Sequence, residues 1–213
     1  MKQQSLVQLA VEAGKIILEN GGETYRVEET INRICDSYNV KFAESFVTPT
    51  GIMVSAYTPE GTNISVIKVI KKRTVDLEKI SSVNELSRNI TSSKLSPEEF
   101  QVKLNEINSS PRYNLITTLF FSGIVTSFFT LLFGGNVKEA LVAFLIGIII
   151  KIITILSGEL EINDFFVNIM GGAIASAIAI LFVHTGFATD LDKIIIGSIM
   201  LLVPGIAITN AIR

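Results

Sequence analysis

The chain has one cysteine, one histidine and no tryptophan in 213 residues. A lone Cys35 excludes an internal disulfide framework, and Cys35 with His184 cannot assemble a metal-ligand cluster, so no metal or cofactor is expected. Net charge is close to zero, 18 Lys+Arg against 20 Asp+Glu, which removes the bulk electrostatic case for a nucleic-acid partner. No P-loop, nucleophile elbow or H-E-x-x-H motif occurs, and the only histidine lies far from the acidic residues of the first half. A membrane enzyme would need a nucleophile and a base that this pattern lacks, so the chain is not expected to be an enzyme. Met1–Gln4 is polar and leads into an amphipathic stretch containing Glu12, without the apolar h-region of a signal peptide.

Charge is scarcest in the second half. Residues 1–112 hold 14 basic and 14 acidic side chains, and residues 113–213 hold 4 and 6. With a mean hydropathy of +0.50, this split excludes a single soluble globule. It predicts an α+β cytoplasmic domain over 1–112 and an α-helical membrane domain over 113–213. Four apolar runs follow Arg112, giving expected spans at 115–133, 140–156, 165–186 and 194–212. Short loops between them imply a helical hairpin array in a lipid bilayer. Lys94, Lys103 and Arg112 precede the first run and favour a cytoplasmic N-terminal domain. His184 beside a loop reads as interfacial.

Lys151 is the only formal charge inside these runs. Lying five residues before a loop at Ser157, it either snorkels to the interface or serves function. Gly171–Ala175–Ala179 and Gly172–Ser176 are small-xxx-small pairs at one-turn spacing, which let helix backbones approach closely or form the wall of a solute path. The last run contains Pro204-Gly205. Proline removes a backbone donor and glycine loosens the chain, so a kink or break is expected there. Thr209, Asn210 and Arg213 follow at helical spacing. They either reach the headgroups or, with Pro204, Gly205 and Lys151, contact an anionic solute at a broken helix.

In the first half, Leu6, Leu9, Ala10, Ala13, Ile16 and Ile17 form one helix face, closed by Asn20-Gly21-Gly22. A second helix over 23–38 starts in a charge run, Glu23, Arg26, Glu28 and Glu29, which reads as a solvated face with a Glu29–Arg33 pair. The period then falls to two over 41–48, 52–58 and 63–72. The joining turns, Thr48-Pro49-Thr50-Gly51 and Thr58-Pro59-Glu60-Gly61, place Pro at i+1 and Gly at i+3. This predicts helices packed on a three-stranded antiparallel meander. A third helix is expected over 76–90. A fourth has Ser96 as N-cap and Pro97 at its first position.

Four segments together resemble the threonine/serine exporter family. They are the run from Gly21 to Thr30, with Glu23, Thr24, Tyr25, Arg26 and Glu28; the turn Pro49, Thr50, Gly51; residues 75–88, with Asn84, Leu86 and Ser87; and Pro204-Gly205-Ile206 with Thr209–Arg213. The resemblance spans essentially the whole chain. It implies a secondary exporter of threonine and serine, or of succinate, in the bacterial cytoplasmic (inner) membrane. The chain is similar to the first half of single-chain members and to the YjjP-like subunit of a split succinate exporter. That similarity implies a small all-membrane YjjB-like partner, with a homo-oligomer left open. Family members continue past the Asn-Ala-Ile-Arg segment, so the membrane part is expected to be incomplete after Arg213. The alternative is a membrane-tethered binding or regulatory module whose first domain is the working part.

Overall fold

Arg73 reaches back to the end of the first helix and donates to the carbonyls of Leu18 and Gly22, both at 3.1 Å. That helix, α1 (Lys2–Glu19), ends because Gly21 takes φ +95° and the Gly22 and Gly21 N–H groups bond back to Ile17 and Leu18. The computed structural model describes residues 2–40, 42–57, 63–93, 95–111, 113–160 and 162–212, except for the side chains of 2, 3, 91–93, 207 and 210–212. The turn at Thr58–Gly61 and the charges at Lys94, Arg112 and Arg213 lie outside the described residues.

The chain divides into two units, 1–111 and 112–213. In the first, α1 is followed by α2 (Thr24–Ser37), β1 (Glu44–Thr48), β2 (Gly51–Tyr57), β3 (Asn63–Val69), α3 (Leu77–Ser93) and α4 (Pro97–Ser109). The strands form one antiparallel sheet in the order β1-β2-β3, with Val47 opposite Ile52 and Val54 opposite Val66. Alternation puts Val47, Ile52, Val54 and Ala56 on the inner face against the helices. Ile17, Leu18, Ile31, Ile34, Phe100 and Leu104 fill the core, each fully buried side chain contributing about 1.5–3 kcal/mol. Pro49 and Thr50 occupy the two-residue loop between Thr48 and Gly51. Ser96 and Glu99 close a reciprocal capping box at the start of α4.

The second unit contains α5 (Leu115–Leu132), α6 (Val137–Glu159) and α7 (Asp164–His184). Then come α8 (Leu191–Ile199), a 3-10 turn (Met200–Leu202) and α9 (Gly205–Ile212). Among the described residues three helices, α5, α6 and α7, are long and apolar enough to cross a membrane. The expected arrangement, an α+β cytoplasmic domain followed by four spans, is therefore corrected. The chain is predominantly helical with one small sheet, and the run at 194–212 is two short helices rather than a fourth span. An apolar count across 194–212 overlooks what proline does to the backbone.

The second unit buries an aliphatic cluster of Val142, Ile146, Ile150 and Ile194. Many of its other buried positions are small or hydroxylated: Ser122, Thr126 and Thr130 on α5, Gly147 on α6, Gly171, Ala175 and Ala179 on α7, and Gly197 and Ser198 on α8. Other large apolar side chains, among them Phe128, Leu132, Phe165 and Leu181, point outward. Small residues inside and bulky ones outside suit helices packing in lipid, where close backbone approach replaces the hydrophobic drive.

Candidate functional site

Pro204 has no N–H to give the carbonyl one turn back, and it forces the preceding residue out of helical space. Val203 accordingly takes φ −70°, ψ 126°. The ladder stops with Val203 N bonded to Met200 O at 3.3 Å, and restarts with Ile208 N on Pro204 O at 3.1 Å. The Thr209 hydroxyl donates back to Gly205 O at 2.8 Å. Pro204, Gly205 and Thr209 are exposed. The Asn210 side chain and Arg213 lie outside the described residues, so the proposed amide and guanidinium contacts stay expectations.

A groove of 480 Å³ runs along the first half of α5, between Tyr113, Thr117, Thr118 and Ser122 on one side and Leu201 of the 3-10 turn on the other. It joins hydroxyl groups to an apolar wall two residues before the break. Gly171 of α7 packs on the next residue, Leu202, whose side chain would lie 2.8 Å from an added Cβ. Gly171 and Ala175 thus face the bundle. Gly172 has nothing within 4 Å of such a Cβ, and Ser176 donates to the Gly172 carbonyl at 2.9 Å. The two small-residue pairs therefore differ: one is packed and the other is open.

Lys151 is half-buried on α6 and makes no hydrogen bond or ion pair among the described residues. The helix runs on to Glu159 rather than ending at Ser157. That places Lys151 about 12 Å from the helix end.

Two polar features went unnoticed in the sequence. Ser198 is fully buried in α8, little more than a turn before the break, and its hydroxyl has no partner. An orphaned buried hydroxyl costs about 1–3 kcal/mol, and no apolar pattern announces it. Glu139, which falls between the expected spans 115–133 and 140–156, is fully buried in the first turn of α6. Its signal was Asn136-x-x-Glu139 ahead of an apolar run, a capping box.

The family-like residues of the first unit fall into two groups. Glu23, at the N-cap of α2, pairs with Arg26 at 2.8 Å. The hydrogen bond that the Arg26 guanidinium donates to Tyr25, then the Glu23 charge, holds it above its ordinary pKa against partial burial. Thr24 opens the helix and Tyr25 is half exposed. Glu28 turns instead to the sheet, where its carboxylate accepts from Val47 N at 2.9 Å. It satisfies a donor on the open edge of β1, so it is not part of a solvated face. Pro49, Thr50 and Gly51 sit at that sheet's first hairpin, where the Thr50 carbonyl accepts from Ile70 N at 2.9 Å.

Three span-length helices with outward-facing bulky apolar side chains and a proline-broken segment after them define a multi-pass membrane protein. The family model described as "Putative threonine/serine exporter" matches residues 8–213, and the chain belongs to that family. A threonine/serine exporter of Corynebacterium glutamicum is 24% identical over 98% of this chain and 44% of its own length. A relative from Mycobacterium tuberculosis named "Probable threonine/serine exporter" is 20% identical over 99% of this chain and 40% of its own length. The chain thus spans less than half of either relative. No solved structure matches.

Proposed function

We propose that this chain is the first part of a secondary exporter that moves small amino or carboxylic acids, threonine and serine or succinate, out across the bacterial cytoplasmic membrane. The observation that carries the reading is the Val203–Pro204 interruption beside a largely apolar groove of α5, lined by Phe121 and Val125, that also carries Thr117, Thr118 and Ser122. Backbone groups freed from a helix ladder within a membrane need protein, solute or water as partners. The start of α9 presents the positive end of a helix to a carboxylate. Thr117, Thr118 and Ser122 supply hydroxyl partners, and Lys151 supplies a cation for charge balance. In this reading the first unit is cytoplasmic, and a small all-membrane subunit supplies what the longer relatives carry in the rest of their length.

The test is efflux from proteoliposomes holding the full chain with its all-membrane partner, loaded with labelled threonine, serine or succinate. Ion-gradient-dependent loss of at least one label is expected. If all three stay inside under every gradient, the reading fails.

A further inference from the structure

On the first unit, α2 and α3 enclose a groove of 530 Å³, within the range of small-molecule sites. Arg26 lines it from α2, and Ile80, Ser81, Asn84, Glu85 and Arg88 line it from α3. Two bonds fix the spacing of the walls: Thr30 Oγ1 to Asn84 Oδ1 and Arg33 Nη1 to Ser87 Oγ, both 3.2 Å. Arg26 is anchored by Glu23 at 2.8 Å.

Glu85 and Arg88 behave differently. Opposite charges three residues apart on a helix are neighbours that commonly pair. Here neither makes an ion pair or hydrogen bond with the other or with any described residue. Among the described residues the groove therefore presents one unpaired anion and one unpaired cation on the same helix, a second guanidinium across from them, and the Asn84 amide. A ligand that complements this set carries a carboxylate and an ammonium on one carbon. A guanidinium takes a carboxylate in bidentate fashion. Glu85 attracts an ammonium and repels the second charge of a dicarboxylate or phosphate.

We propose that the α2–α3 groove binds the zwitterionic head of a free α-amino acid, its carboxylate on Arg88 with Arg26 nearby and its ammonium on Glu85. The first unit then senses the amino acid at a site of its own. The groove chemistry stands apart from the export reading; only the choice of hydroxy amino acids as probes rests on it.

The full chain in lipid nanodiscs is titrated with L-threonine by calorimetry, and hydrogen–deuterium exchange is followed in 24–37 and 77–93. Binding with slowed exchange in both segments is expected. Arg88→Ala weakens it by about tenfold or more, and Arg88→Lys restores part of the loss. Glu85→Gln lowers the affinity for threonine and narrows its advantage over lactate, which lacks the ammonium. Both residues are exposed, so neither variant threatens folding. Unslowed exchange in 77–93, unchanged affinity in Arg88→Ala, or succinate binding as tightly as threonine overturns the proposal. A failed efflux assay with this binding intact removes the export reading alone, and efflux without this binding removes the groove alone.

Discussion

Glu139 Oε1 accepts hydrogen bonds from the hydroxyl of Thr189, fifty residues further along, at 2.9 Å and from the N–H of Asp190 at 3.0 Å. The same carboxylate accepts from Asn136 N at 2.7 Å and Asn136 Nδ2 at 3.1 Å. One buried side chain thus caps α6 and fastens the loop that leads into α8.

Removing it strands several buried donors at once. Glu139→Ala is expected to cost about 3 kcal/mol or more, and Glu139→Gln less, because one acceptor oxygen survives. Thermal unfolding of the full chain in detergent checks the order. Equal melting temperatures for all three proteins would contradict it.

Glycine at 197 and glycine at 172 should respond oppositely. A Cβ on Gly197 would lie 2.1 Å from Thr130 Oγ1 and 2.7 Å from the Thr130 backbone, which cannot swing aside. Gly197→Ala is expected to destabilise by about 1–3 kcal/mol, while Gly172→Ala, with open space around it, stays near neutral. The two melting curves decide this directly.

Pro204→Ala restores the missing donor and lets the segment run straight. Efflux is expected to drop by about tenfold or more, while the melting temperature holds or rises. Full efflux from a Pro204→Ala protein would detach the break from transport.

The Glu99 carboxyl is held below its ordinary pKa first by the Ser96 N–H, then by the Ser96 hydroxyl. A lowered folded-state value stabilises the fold above the unfolded pKa, and that contribution is lost as pH falls through the folded value. Resistance to denaturant should fall as pH drops below about 5, and Glu99→Gln should flatten part of that slope. A slope indifferent to Glu99→Gln would place the acid sensitivity elsewhere.

Cys35 is buried in α2, and burial followed by the nearby Asp36 pushes its thiol up to about 12. A thiol so rarely ionised reacts slowly. Maleimide labelling of the native chain at neutral pH should therefore be negligible, then complete in denaturant. Rapid native labelling would show that this helix opens readily.

Local signals in the sequence were read well where one segment decides its own structure. Asn20-Gly21-Gly22 ended a helix, Ser96-Pro97 began one, and Thr48–Gly51 turned a hairpin because backbone sterics and caps act over a few residues. The span at 194–212 was misread because hydropathy sums side chains and ignores the backbone constraint at Val203. Glu139 was misread because its burial depends on Thr189 and Asp190, far along the chain. The α2–α3 groove lay out of reach for a similar reason. Its walls are set by bonds between residues 54 apart, such as Thr30 and Asn84, and no spacing rule spans that distance.

Thr126 donates to the Ala143 carbonyl at 2.7 Å, Ser127 donates to Ala140 at 2.8 Å, and Gly147 and Gly197 leave no room beside Thr126 and Thr130. Parts interlocked so tightly cannot slide past one another. These contacts hold α5, α6 and α8 together as one block, and the helical ladder gives way at Val203, beyond the reach of that interlock.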